Sequence, residues 1–236
     1  MKMPSTRLLA FAFTLAFAGH AHAQLTVRSG TGANAAALAP TRDLFRADLG
    51  GGSVAGANGS FGGIRREINW DGVPSAYATP NYLPANFFNA TSPRGMVLST
   101  PGAGFQVSAA TTDPSGQPLN FGNIDPSYSA TFTVLTPQRL FTSIGYNIYD
   151  VTFYIPGTTT PAAVNGFGAV FTDVDQANTT SLLLFGHNDA ILGTYYAPAG
   201  RVRRLVLRRR IHQQRACNHL PRPRHARQRD PGSWSV

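Results

Sequence analysis

The sequence predicts an all-β protein, an antiparallel β-sandwich of jelly-roll type. Three observations predict it. From Ile64 onward, short runs rich in β-branched and aromatic residues are separated by Gly, Pro, Asn and Asp. Some of these runs alternate in part, as half-buried antiparallel strands do, among them residues 128–135 (YSATFTVL) and 150–155 (DVTFYI). No segment keeps a 3.6-residue apolar period over a useful length.

Residues 1–23 read as a secretory signal. Lys2 and Arg7 supply the charged start, LLAFAFTLAFAG supplies an apolar run, and Ala21-His22-Ala23 supplies a small-x-small cleavage site before Gln24. The run is too short to span a bilayer, which takes about 20 apolar residues. The expectation is a secreted, periplasmic or cell-surface protein, cleaved after Ala23 and without a transmembrane segment. Residues 24–63 are Gly/Ala-rich and read as a lead-in. Within them 41–49 is expected to form a short helix, capped by Thr41 and stopped by Gly50-Gly51-Gly52.

Residues 64–200 are expected to be the sandwich domain. The candidate strands are 65–70, 96–100, 104–109, 129–135, 140–144, 150–155, 166–173, 180–185 and 191–197. The last two flank Gly186-His187-Asn188-Asp189-Ala190, which predicts a hairpin. Prolines such as Pro93, Pro101, Pro137 and Pro156 fall between strands, where a missing amide donor does no harm. The body carries no Cys, so it is expected to fold without disulfides.

Residues 201–236 depart from everything before them. They hold eleven of the chain's twenty Lys and Arg, its single Cys and only one acid, Asp230. Residues 24–200 hold seven Arg, no Lys and ten acids, a net charge of −3. The overall charge of +9 therefore describes the tail and not the body. Three readings stand open: a basic arm that neutralises phosphates, a solvated end with no partner, and a shift of reading frame in GC-rich DNA. The frameshift is favoured. Shifted by one base, the codons for residues 211–220 permit strings such as FTNSERVTTY, a polar turn and then a β-branched run. On this reading the sandwich lacks its last strands, and no nucleic-acid partner is expected.

The residues with chemistry are few. Asp173 and Asp175, two apart at a strand end, would share a face and offer oxygen to Ca²⁺ if the strand continued that far; a charged turn is the plainer reading. Glu67, the chain's one Glu, with Asp71 or Asp150 is the thin case for a paired-carboxylate hydrolase. Asp71 reads better as an Asx turn before Gly72. His187 is the body's one His, and no G-x-S-x-G nucleophile elbow accompanies it. Cys217, His219 and His225 lack zinc spacing. Trp70, Tyr77, Tyr82, Phe87 and Phe88 cluster in sequence; they suit sugar stacking on a rim, and suit core and loop anchoring better. No catalytic residue, metal or cofactor is assigned.

The text also resembles a group of uncharacterised secreted bacterial proteins, some with a PEP-CTERM sorting signal. The residues that carry the resemblance are Ile68-Asn69-Trp70-Asp71-Gly72-Val73-Pro74, Leu83-Pro84-Ala85-Asn86-Phe87-Phe88-Asn89, Ser92-Pro93-Arg94-Gly95 and GFGAVFTDVD at 166–175. It covers about residues 64–198, implies an extracellular β-sandwich and implies no activity. In that group strands continue past the position of Pro198, where this chain turns Arg-rich. The expected function is thus a non-enzymatic surface or matrix-associated binding module of unknown ligand. The alternatives are a carbohydrate-binding module with an extracellular polysaccharide as partner, and an exported hydrolase of unrecognised type.

Overall fold

A computed structural model describes residues 25–52, 55–56, 59–61, 65–208, 213–218 and 233–235, the backbone alone beyond residue 200. The signal-peptide segment lies outside the described residues. Strands dominate, and they pair antiparallel.

The chain enters through β1 (Thr26–Gly32) and α1 (Ala35–Asp48). Short β2 (Ser60–Phe61) and β3 (Arg65–Arg66) pair with each other. Two single 3₁₀ turns, Trp70–Gly72 and Ser75–Tyr77, and a helical turn α2 (Phe87–Ala90) lead to β4 (Met96–Ser99) and β5 (Gly104–Val107). After α3 (Tyr128–Thr131) come β6 (Phe141–Ile144), β7 (Ile148–Phe153), β8 (Phe167–Val174), β9 (Thr180–Phe185) and β10 (Ile191–Tyr196). The backbone then forms β11 (Gly200–Arg208), β12 (Gln213–Asn218) and β13 (Ser233–Ser235). One sheet has the order β1-β11-β8-β13-β6-β5, the other β10-β9-β12-β7-β4.

The alternation of residues explains which face each strand buries. In β7 every second residue, Tyr149, Val151 and Phe153, is buried. From the other sheet Phe105, Phe141, Phe167 and Phe171 join the same core. Phe141 meets Tyr149 edge-on at 5.5 Å between ring centres, and Phe153 meets Phe167 at 5.9 Å. The two sheets thus share one apolar core. The far face of the six-stranded sheet has its own cover. Leu38 of α1 packs with Val170 and Leu135, and Phe121, Phe132 and Leu140 form a second small cluster.

Four expectations need correction. The lead-in is not a linker, because β1 lies at the edge of the six-stranded sheet and Arg28 ties it to Asp48 of α1 at 2.9 Å. The helix does not start at Thr41. Asn34 caps it by accepting from the Ala37 amide, and it runs through Pro40. Its stop is where the glycines predict: Gly50 and Gly51, both at positive φ, donate to Ala47 and Arg46. The segment 129–135 is not a strand. Asp125 accepts from the amide and hydroxyl of Ser127 and starts the turn that becomes α3. Finally, the expected strand 65–70 stops at Arg66 and gives way to the 3₁₀ turn at Trp70. The expected strands 96–100, 104–109, 140–144, 150–155, 166–173, 180–185 and 191–197 appear with small shifts of boundary. The described backbone beyond Gly200, in β11, β12 and β13, is itself drawn into both sheets.

Candidate functional site

Two of the carboxylates considered for catalysis, Asp71 and Glu67, are bound into the architecture. Asp71 does not close its own turn. Asn69 does so, by accepting from the Asp71 amide at 3.0 Å. Asp71 instead reaches far along the chain, where one oxygen accepts from the Thr136 hydroxyl (2.9 Å) and from the Gln138 and Arg139 amides (3.2 and 2.8 Å). Glu67 accepts a two-pronged ion pair from Arg46 (2.7 and 2.6 Å), with Arg65 at 3.0 Å. Asp150 lies on β7 opposite Ser99. These acids serve different elements.

The strand does not continue as far as Asp173 and Asp175 would need in order to share a face: β8 ends at Val174. Asp173 adopts a positive φ of 58°. That breaks the pleat: Thr172 bonds outward to the Thr133 amide and Val174 returns to the shared core. Among the described residues no group of three or more His, Cys, Asp or Glu is placed to hold a metal. His187 sits exposed in a turn between β9 and β10. His219 and His225 lie outside the described residues, as does the side chain of Cys217.

One polar cluster was not legible in the sequence. Arg139 and Asp113 form an ion pair at 2.5 Å, with side chains 4% and 2% exposed. Ser75 donates to Asp113, the Ala110 amide adds a bond at 2.7 Å, and Arg139 also reaches the Ser108 carbonyl at 2.9 Å. Burial pushes the Asp113 carboxyl up, but Ser75, Ala110 and Arg139 together outweigh it and hold the carboxyl below the ordinary carboxylate range. Apart from Ala110, these partners are 26 to 38 residues apart in sequence, so no local spacing announces them.

The aromatic cluster divides. Trp70, Phe87 and Phe88 are core: Trp70 stacks on Phe141 at 4.3 Å and 6°, and Phe88 meets its edge at 5.4 Å. Tyr77 packs against Phe87. The segment Ser92-Pro93-Arg94-Gly95 is a joint. Arg94 lies 5.5 Å over the Phe88 ring and donates to the Glu67 carbonyl, and a side chain at Gly95 would run into the Tyr154 carbonyl. Only Tyr82 of the cluster faces solvent, at 48% exposure.

Tyr82 has a neighbour that sequence clustering missed. Its ring lies on the bare backbone of Gly104, where an added Cβ would come within 3.0 Å. Tyr146, 43% exposed, is rooted beside Gly102, its main-chain nitrogen and Cβ lying against that glycine. Glycines two apart along a chain are at most about 7 Å from each other, so the Tyr82 ring and the root of Tyr146 lie against one short stretch. The ground beneath them is fixed. Leu83 donates to the Phe105 carbonyl (2.8 Å), and the Thr100 hydroxyl bonds both the Gly102 amide and the Ile148 carbonyl. Ser143 holds the Tyr146 carbonyl at 2.6 Å. The Tyr82 ring on this rigid, uncharged base, with the exposed Tyr146 rooted beside it, can stack on the apolar face of a flat ligand while its hydroxyl stays wet. This is the candidate site. The signal that could have found it is a tyrosine on each side of the Gly102-Ala103-Gly104 run.

The chain matches no family model, no curated protein and no solved structure.

Proposed function

We propose that the chain is an exported, non-enzymatic β-sandwich of jelly-roll type that acts as a cell-surface or matrix-associated binding module. The kinship it would have is with the secreted bacterial proteins that its 64–198 text resembles. One observation carries the reading. Asp71 and Glu67, two of the acids a paired-carboxylate hydrolase would draw on, are engaged in holding separate elements together, while Tyr82 is presented to solvent on a braced glycine base with the exposed Tyr146 rooted beside it.

The same observation favours an extracellular polysaccharide as the ligand. The base is uncharged, and the rings offer the flat apolar surface on which pyranose faces stack. Affinity electrophoresis of the purified protein in gels cast with a panel of bacterial and plant polysaccharides tests this. Retardation by at least one neutral glycan, lost on Tyr82→Ala or Tyr146→Ala, is expected. Free migration in every gel overturns the polysaccharide reading.

The frameshift belongs to the same proposal, and register supports it. Arg203 holds the position opposite Phe171 and Arg204 the position opposite Val170, both partners buried. Adjacent residues of a strand take opposite faces, so positions 203 and 204 belong to the two faces of a strand flanked on each side. Apolar residues normally occupy such positions, and a guanidinium is costly there unless it is paired.

A further inference from the structure

We infer that the free edge of β10 pairs with β10 of a second copy, making a twofold dimer by extension of the five-stranded sheet. The inference stands on an asymmetry between edges. The outer edge of β5 is sealed by the preceding segment, where Thr79 and Leu83 donate to the Val107 and Phe105 carbonyls. The outer edge of β4 is closed at Leu98, whose amide bonds the Ala85 carbonyl. Two outer edges pair on one side only among the described residues: β1, which carries Arg28 and sets its glycines against α1, and β10, which is uncharged and pairs with β9 alone.

The direction of the open groups follows from the ladder. Ala197 donates to the Thr180 carbonyl at 2.8 Å, so 197 and 180 are a hydrogen-bonded pair. In the register of β10 on β9, Tyr196 opposes Ser181 and Tyr195 opposes Leu182. Alternation then makes 195 and 182 the next bonded pair. The N–H and C=O of Thr194 and Tyr196 therefore point away from β9. An open row of this kind selects an extended strand and nothing else, because only a strand returns donors and acceptors at the same spacing.

The chemistry of β10 selects a second copy. Its text, ILGTYY, has no charge, so no like charges oppose across a twofold axis. Natural edges are commonly blunted by Lys or Pro, and β10 has neither. Its one bulge, between Ile191 and Gly193, confines the open stretch to the C-terminal half, and Pro198 ends it. A twofold axis beside Tyr195 lets Thr194 of one copy exchange both main-chain bonds with Tyr196 of the other. The same step sets Tyr195 against its symmetry mate, a favourable aromatic pair. Tyr196, 49% exposed, and Ile191, 69% exposed, lie at this edge.

Sedimentation velocity of the full chain over a micromolar to submillimolar series tests the dimer, at low and at high salt. A dimer that persists at high salt is expected, because main-chain bonds are little screened whereas attraction between the basic tail and the acidic body is. Tyr196→Lys places like charges near the axis at an exposed position. Thr194→Pro removes an outward amide that β9 does not use. Each is expected to weaken the dimer at least about tenfold with an unchanged far-ultraviolet spectrum; if the proline variant misfolds, the lysine variant decides. A monomer throughout the series, or association that ignores Tyr196→Lys or vanishes with salt, overturns the inference.

Discussion

Asp71 and Asp113 show how a residue's meaning changes between text and fold. As text, Asp71 is a turn residue beside Trp70. In the fold it pins the 136–139 segment, and Arg139 at the end of that segment enters the buried pair with Asp113. The turn itself was legible, because Asn69 two residues ahead of Asp71 is a local signal. The long-range bonds were not, since partners more than 60 residues apart share no spacing rule. Removing the acceptor by Asp71→Ala leaves the Gln138 and Arg139 amides without it, and a loss of about 1–3 kcal/mol in urea unfolding is expected. Arg139→Met is the harsher change. It leaves a buried carboxylate without its cation, and about 3–5 kcal/mol should be lost at neutral pH.

The pH dependence of that pair has a definite sign. The Asp113 carboxyl is held below its ordinary value in the fold, so its contribution is complete above the unfolded pKa near 4. It is lost as pH falls through the lower, folded value. The urea midpoint of the wild type should therefore fall below about pH 4. The Arg139→Met deficit should shrink over the same range as Asp113 takes up a proton. A deficit that stays constant or grows with acid would contradict the assignment.

At the scale of elements, the strands that were legible are those whose apolar alternation outran every local competitor. β7 buries Tyr149, Val151 and Phe153 on one face, and β9 buries Leu182 and Leu184. The elements misread are those where a short polar contact outweighed the pattern. YSATFTVL alternates like a strand, yet the Asp125–Ser127 contact turns its first residues into α3 and leaves Phe132 to plug the cluster with Phe121 and Leu140. TVRSGTG has too much Gly to signal a strand, and only its pairing in the sheet makes it one. Gly32 is needed because a Cβ there would meet Ala37 of the helix. The helix was placed late because Thr41 reads as a cap, although the Asn34 cap begins it earlier.

Gly104 offers a test at this scale. Its φ of 138° disfavours any side chain, and a Cβ would press on Tyr82. Gly104→Ala should cost about 1 kcal/mol or more of stability. It should also reduce retardation in a polysaccharide gel that retains the wild type. Full retention alongside lost stability would detach Tyr82 from binding.

For the whole molecule, one core joins two sheets, and Trp70 sits at its centre, 1% exposed against Phe141 and Phe88. Trp70→Ala should remove about 3–5 kcal/mol. The segments that resemble the secreted bacterial group all serve this core and its joints, which is why they were visible as text without naming a ligand. The tail is the exception to agreement between levels. Its described backbone takes positions inside both sheets, while its composition belongs to neither. Consistency of local text with global place marks a native sequence, and between Gly200 and Arg208 that consistency fails.

Intact-mass and peptide mapping of the protein recovered from outside its native cells tests this account most directly. The account expects a mature chain beginning at Gln24 whose peptides follow the present sequence to about Gly200 and then continue in the neighbouring frame. Recovery of the Arg-rich peptides of residues 201–236 from the exported protein would contradict it.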